Sequence, residues 1–169
     1  TKYNEAIVQF ESFLLAYPSG EYANRARILL QTAKIKQHTD STTFSVASAV
    51  EAQVNLEEFF RTCQDLPEFQ EERNKVIRFA EKISRAAAEV AIKNGNQRAL
   101  DASQAAYARL DSITSGTGSL TSEALQRILR LHSRASAEIL KRDVLQESMD
   151  EIKGNLNANQ PLQALSIYQ

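Results

Sequence analysis

Apolar residues recur along this chain at steps of three and four, which is the period of one face of an α-helix. The pattern predicts a first helix from Lys2 to Tyr17 and a second from Glu21 to Gln37. Between them lies Pro18-Ser19-Gly20, where proline disfavours helix at the preceding residue and serine and glycine favour a turn. Because the connection is only about three residues long, the two helices are expected to pack antiparallel as a hairpin.

Four further helices are predicted from the same periodicity. They span residues 45–63, 67–93, 97–113 and 121–156. The last of them could break between Ser133 and Ser136. Pro67 suits the start of a helix and Gly95 its end, since proline is tolerated in a first turn and glycine favours a C-terminal cap. The polar stretches 38–43 and 114–119 are expected to form loops.

The residues expected to face the core are the apolar ones of each stripe. In the first two helices these are Tyr3, Ala6, Ile7, Phe10, Phe13, Leu14, Tyr17, Tyr22, Ala26, Leu29, Leu30 and Ala33. In the third helix they include Val46, Ala49, Val50, Val54, Phe59 and Phe60. Only 5 Gly and 3 Pro interrupt the 169 residues, so turn signals are too few for a β-sandwich. The sequence therefore predicts an all-α fold of stacked antiparallel hairpins.

The first hairpin also carries a recognisable family pattern. Its first helix resembles the second helix of a tetratricopeptide repeat with its closing proline, and its second helix resembles the opening of the next repeat. The matching positions are Tyr3-Asn4-Glu5-Ala6-Ile7, Phe10, Phe13-Leu14, Tyr17-Pro18, Ser19-Gly20-Glu21-Tyr22-Ala23 and Ala26. This variant is similar to that of bacterial envelope proteins. The resemblance implies a periplasmic or outer-membrane-associated protein, with the cytoplasm as the alternative compartment.

Two weaker repeat-like segments follow the first, which spans residues 3–37. Residues 80–113 resemble a degraded repeat in which Ser103 stands where a large aromatic residue is expected, and residues 159–169 resemble the start of a third. Non-repeat helices at 44–79 and 121–156 separate them. We therefore expect residues 1–169 to form a single irregular α-solenoid domain, cut from a longer chain.

The resemblance implies a function in binding a protein or peptide. Stacked helical hairpins expose a concave groove, and in this family the groove takes an extended or helical peptide. Carried over by position, the residues that line it are Ala23, Arg27, Leu30, Gln31, Ser84, Ala88 and Ile92. In one subclass of the family, lysine and asparagine residues bind the terminal carboxylate of a peptide. The residues at the groove positions of this chain are different, so a peptide C-terminus is not expected as the ligand.

Charge and length exclude several other classes of function. The formal net charge is −1, with 20 Lys and Arg against 21 Asp and Glu, so the chain lacks the basic footprint of a nucleic-acid binder. There is no run of 18 apolar residues and hence no expected membrane span. The single Cys63 excludes an internal disulfide and a cysteine-based zinc site.

Candidate catalytic or metal-binding residues are few. His38 and His132 lack ligand spacing and are interpreted as surface polar residues, and Cys63 as a half-buried apolar one. We therefore predict no enzyme activity, metal or cofactor, although a helical active site remains the third alternative. The helix positions Arg127, Arg130, Arg134, Lys141 and Arg142 indicate either a solvated stripe paired with Glu123 and Glu138 or a surface for an acidic partner.

Self-association is the main alternative to binding a different protein. Leu145, Met149, Ile152 and Leu156 step by four, three and four, which is heptad spacing. Two functions therefore stay open: a scaffold in a bacterial cell-envelope assembly, and a structural protein that forms homo-oligomers through its long helices.

Overall fold

Six α-helices make up the computed structural model, which describes residues 2–40, 43–114 and 122–157. The helices are α1 (Lys2–Ala16), α2 (Glu21–Thr39), α3 (Val46–Cys63), α4 (Phe69–Asn94), α5 (Gln97–Thr114) and α6 (Ser122–Asn157). The described residues contain no strand. The all-α prediction is therefore confirmed, and neighbouring helices pack as a stack of hairpins. In the part of the chain described, no helix combines the length and apolar character needed to cross a membrane.

Most helix boundaries follow the sequence signals. The α1–α2 turn falls at Pro18 and Gly20, and α3 begins after Ser45, whose hydroxyl accepts a hydrogen bond from the Ser48 amide at 3.1 Å. Pro67 lies in the turn that precedes α4 rather than in its first turn. The predicted repeat-like segment 159–169 lies outside the described residues, as does most of the loop predicted at 114–119.

Two boundary predictions are wrong. Helix α2 continues to Thr39, which is buried, so the loop predicted to start at residue 38 begins later. Helix α6 runs unbroken through 133–136. Within it, the Ser133 hydroxyl donates to the Leu129 carbonyl oxygen at 3.1 Å and therefore does not cap a new helix.

Helix α4 is the centre of the packing, since it contacts α2, α3, α5 and α6. Small side chains line the face that meets α5, and small residues allow two helix axes to approach closely. The fully buried small residues are Ala80, Ser84, Ala87, Ala88 and Ala91 in α4 and Ala99, Ser103 and Ala106 in α5. Larger residues, among them Phe59, Phe60, Phe69 and Leu110, fill the core where α3 joins α4 and α5.

The turn between α4 and α5 depends on one glycine. Gly95 has φ 59° and ψ 43°, the left-handed conformation that glycine adopts without cost. It also lies directly under the Arg142 side chain of α6, which donates to the Lys93 carbonyl oxygen at 2.8 Å. A Cβ built on Gly95 would come within 2.2 Å of Arg142 Cδ. The same residue therefore ends α4 and leaves room for α6 to cross it.

We predict that Gly95→Ala lowers the free energy of unfolding by about 1–2 kcal/mol. The left-handed backbone conformation is unfavourable for alanine, and the added Cβ must displace the Arg142 side chain. Urea unfolding followed by circular dichroism measures the change. Gly154→Ala is the matched control: Gly154 lies inside α6, with nothing within 4 Å of an added Cβ, so alanine should not destabilise the chain. Equal effects of the two substitutions would contradict this account of the turn.

Candidate interaction surface

Helix α1 is held by a single neighbour, because α2 is the one described helix that it contacts. None of its residues is buried, and its apolar face is only half-covered. An amphipathic helix normally gains its stability by burying that face. Helix α1 therefore leaves apolar surface open along the hairpin it forms with α2.

The open surface is a groove between α1 and α2. Its wider part, about 460 Å³, is lined by Gln9, Phe10, Phe13, Tyr22, Arg25, Ala26 and Leu29. A second part of about 300 Å³ shares Phe13 and Tyr22 with it and extends to Tyr17 and the turn. We call the side chains of Phe10, Phe13, Tyr17, Tyr22 and Leu29 the aromatic surface. Tyr22 is 78% exposed, Tyr17 62% and Leu29 47%, so this apolar area faces solvent.

The prediction that Tyr17, Tyr22 and Leu29 face the core is wrong. Helix α2 also carries apolar residues outside the predicted stripe, among them Ile28 and Ile35, and the neighbouring helices cover those instead. The α2 side chains that are buried include Ala23, Ile28, Leu30 and Ile35. Periodicity detected the apolar residues of α2, but it could not tell which of its faces would meet another helix. Val54 of α3, also predicted to face inward, is 51% exposed.

One end of the groove is fixed by Arg27. Its guanidinium donates to the Pro18 carbonyl oxygen in the turn and, at 3.1 Å, to Asn24 Oδ1 on the same helix. The amide of Tyr17 donates to the Phe13 carbonyl oxygen at 2.8 Å, and the rings of these two residues lie 5.2 Å apart. These contacts hold the aromatic rings in place beside the turn.

The other end of the α1–α2 hairpin is fixed by Asp40. Tyr3 of α1 donates to one carboxylate oxygen at 2.5 Å, and Lys82 of α4 donates to the other at 2.9 Å. Desolvation raises the pKa of Asp40, but the hydrogen bonds from Tyr3 and Lys82 and the charges of Lys82 and Lys36 outweigh it, so the pKa is lowered. Asp40 thus ties α1 to the central helix at the end of the hairpin away from the turn.

The seven residues predicted to line a partner groove lie mostly inside the protein. Ala23, Leu30, Gln31, Ser84 and Ala88 are buried. The remaining two, Arg27 and Ile92, are half-buried, and Arg27 is engaged with the turn. Their role in partner binding stays a prediction, and in the described packing these side chains form contacts between helices rather than one open surface.

Buried polar side chains join three helices. The hydroxyl of Ser103 in α5 donates to the Ser84 carbonyl oxygen in α4 at 2.5 Å, and the Ser84 hydroxyl donates to the Ser103 carbonyl oxygen at 2.9 Å. His132 Nε2 of α6 lies 2.7 Å from Ser103 Oγ. Since the single hydroxyl proton of Ser103 goes to the carbonyl, His132 must donate from Nε2. Its ring also packs edge-on against Tyr107, with centroids 5.6 Å apart.

This cluster explains two residues that the sequence analysis misplaced. His132 is 8% exposed, so it is a buried residue and not a surface one. Ser103 replaces the expected aromatic side chain because its hydroxyl bridges α4 and α6 at a close helix crossing. A serine beside a histidine can form a nucleophile and base, but a hydrolytic site also needs substrate access and a group that orients the histidine. Both side chains are buried between helices, so neither is open to a substrate.

Cys63 is fully buried rather than half-buried as predicted. Burial raises the pKa of its thiol, with an opposing effect from the hydrogen bond to Thr62. Reactive cysteines need the opposite, an accessible thiolate of lowered pKa. Cys63 therefore packs in the core as an apolar residue.

A polar cavity of about 580 Å³ lies beside α3 and α5. Arg109 donates to both carboxylate oxygens of Glu57, with Nε 2.8 Å from Oε2, and its guanidinium lies 5.3 Å from the centroid of the Phe60 ring. On its rim, Glu58 pairs with Arg61 at 2.6 Å. These charges neutralise one another, so the cavity is a weaker candidate for ligand binding than the groove between α1 and α2.

The basic positions of α6 do not act as one patch. Arg127 pairs with Glu123 at 3.3 Å, and Arg142 lies 3.7 Å from Glu138 while it caps the end of α4. These ion pairs favour the interpretation that the basic residues of α6 form a solvated stripe rather than a surface for an acidic partner. Among the described residues, no group of three or more His, Cys, Asp or Glu side chains could hold a metal ion.

Comparisons with protein-family models, with curated proteins and with solved structures found no match to this chain.

We predict that the protein loses stability as the pH falls below about 6.5, the ordinary histidine value. Burial lowers the pKa of His132 in the folded state, so in this range the unfolded chain binds a proton that the folded chain does not. The contribution of neutral His132 is therefore complete above this pH and is lost towards the lower folded pKa. Urea unfolding between pH 7.5 and 5.5 should show a smaller pH dependence for His132→Gln than for the wild type. Equal pH dependence of the two proteins would contradict the assignment.

Proposed function

We propose that this protein is a non-enzymatic scaffold that binds another protein through the aromatic surface of α1 and α2. The observation that carries the proposal is the exposure of Tyr17, Tyr22 and Leu29 beside the half-buried Phe10 and Phe13. Exposed apolar area concentrated in one groove is characteristic of interaction sites, and aromatic residues are enriched at the centres of interfaces.

Covering the exposed tyrosine rings of this surface contributes part of the free energy that binding requires. A tyrosine side chain presents about 150–250 Å², so the exposed fractions of Tyr17 and Tyr22 leave on the order of 200 Å² of apolar area open. Covering that area contributes about 5 kcal/mol at about 25 cal/mol per Å². Association costs several kcal/mol, so a partner must also make contacts outside these two rings.

The shape of the groove favours a helical partner segment. Two packed helices form a channel that accepts the apolar face of a third, with anchors at positions i, i+3 or i+4, and i+7. Arg25 lies at the edge of the groove and pairs only loosely with Glu21, at 3.5 Å, with both side chains more than half exposed. An acidic residue next to the apolar anchors of the partner would therefore add a favourable contact.

Membership of the tetratricopeptide family and a place in a bacterial cell-envelope assembly are also proposed. The support is the residue pattern of 3–26, together with the short Pro18–Gly20 connection that gives α1 and α2 the hairpin form of such repeats. The absence of enzyme activity is proposed on different grounds: His132, Ser103 and Cys63, which carry the candidate chemistry, are buried and serve the packing.

Selection from a display library of amphipathic helical peptides tests the binding surface. Selected peptides should carry Leu or aromatic anchors at helical spacing, and Tyr22→Ser should weaken their binding at least about tenfold, since it removes about 1.4 kcal/mol or more of apolar contact. Val54→Ser is the matched control, because Val54 is an exposed apolar residue on α3. If no peptide binds, or if both variants bind like the wild type, the proposal fails.

Fractionation of the native bacterial cells tests the compartment. The protein should appear with periplasmic or outer-membrane fractions when followed by antibody. Recovery with the cytoplasmic fraction alone would contradict the envelope proposal without affecting the binding surface.

A further inference from the structure

The groove between α1 and α2 borders a second cavity on the other side of α2. This cavity, of about 190 Å³, lies between α2 and the start of α4 and shares Arg25 and Leu29 with the groove. Its remaining lining residues are Ile28, Glu68, Glu71 and Glu72. Because Leu29 is half exposed between the two, the groove and the cavity form one surface across α2. We call the three glutamates the acidic edge of this surface.

The hydrophobic core holds the acidic edge in place beside α2. Ile28 of α2 is 3% exposed and belongs to the same core cluster as Phe69 and Val76 of α4. Glu68 directly precedes Phe69 in the chain, and Glu72 lies one helical turn before Val76. The acidic edge is therefore at a fixed position relative to the aromatic surface.

The two sides of this surface differ in charge. On the α1 side, the polar lining residue is Gln9, which is neutral. On the α4 side, Lys75 compensates Glu72 at 2.6 Å, but Glu68 and Glu71 form no ion pair with any residue in the described part of the chain. A partner that covers the surface therefore meets negative charge on its α4 side and none from Gln9 on the other.

Arg25 does not neutralise the acidic edge, although it lines the same cavity. Its ion pair is with Glu21, one turn earlier on α2, at 3.5 Å. An acidic residue of a partner at Arg25 and a basic residue beyond it, at the acidic edge, are therefore compatible with each other.

Glu68 differs from the other two glutamates in its surroundings. Acidic side chains are common in the first turn of a helix, where they interact favourably with the helix dipole, and Glu71 and Glu72 occupy such positions. Glu68 is half-buried, and within the described structure its Oε2 is shielded from solvent without a hydrogen-bond donor. A carboxylate oxygen in this state is unfavourable, and a positive charge brought to the cavity offsets the cost by Coulomb attraction.

We infer that the helical segment bound by the aromatic surface carries a lysine or arginine on the flank that faces α4, where it pairs with Glu68 and Glu71. This inference rests on the binding function proposed above. The apolar anchors of the segment cover Tyr22 and Leu29, and a long basic side chain extends from the flank to the acidic edge. The difference in charge between the two sides determines which flank of the partner turns towards α4.

Binding of designed peptides, followed by fluorescence anisotropy, tests the inference. Each peptide is an amphipathic helix with leucine at i, i+3 and i+7, and it carries lysine on one flank, lysine on the other flank, or glutamine on both. One of the two lysine peptides should bind the wild type about fivefold more tightly than the glutamine peptide, as expected for a partly exposed ion pair. Added salt should reduce this difference, because it screens the charges.

Charge reversal at the acidic edge identifies the residue responsible. Glu71 is exposed, so Glu71→Lys leaves the core intact, and it should abolish the preference for lysine and favour a peptide with glutamate on the same flank. Glu89→Lys is the matched control, since Glu89 is an exposed glutamate further along α4, and it should keep the preference of the wild type. Circular dichroism checks that both variants are folded.

Three outcomes separate this inference from the function on which it rests. Equal binding of the lysine and glutamine peptides, or a lysine preference that Glu71→Lys leaves unchanged, overturns the inference while the binding function stands. If no peptide of any charge binds, the binding function fails and the inference fails with it.

Discussion

Close contact between the small side chains of α4 and α5 is the constraint on which the rest of the structure depends. Ala87, Ala88 and Ala91 bring the two helix axes together, and the buried Ser84–Ser103 hydrogen bonds fix their register. That register places Ser103 where His132 can dock, and it places Gly95 where Arg142 crosses. The position of α6 therefore follows from the α4–α5 hairpin, and α3 and α2 pack on the other sides of α4.

The same arrangement determines which apolar surfaces stay open. Helices near α4 have neighbours on several sides, whereas among the described helices α1 contacts α2 alone, and residues 143–156 of α6 are mostly exposed. Both unsupported regions are amphipathic, so each carries apolar side chains that the described fold does not cover. A central helix with four neighbours and an outer helix α1 with one is an arrangement that suits the scaffold function proposed above.

Local sequence signals predicted the fold class and most helix ends, because Pro18, Ser45 and Gly95 act on their own backbone. They could not predict burial. Tyr22 and Ala26 lie on the same apolar stretch of α2, yet the first is exposed and the second buried, since only helix packing decides between them. The Ser84–Ser103–His132 cluster was missed for a related reason: its members are far apart in sequence, and polar residues in three separate helices give no periodic signal.

Hydrogen–deuterium exchange of the free protein tests the central claim most directly. If α4 holds the fold together, its backbone amides from Val76 to Ala91 should exchange slowest, near the limit set by global unfolding. Those of α1 and of residues 143–157 should exchange much faster through local opening. Protection of α1 equal to that of α4 would contradict the account, because it would mean that α1 is an integral part of the core rather than a helix with an open face.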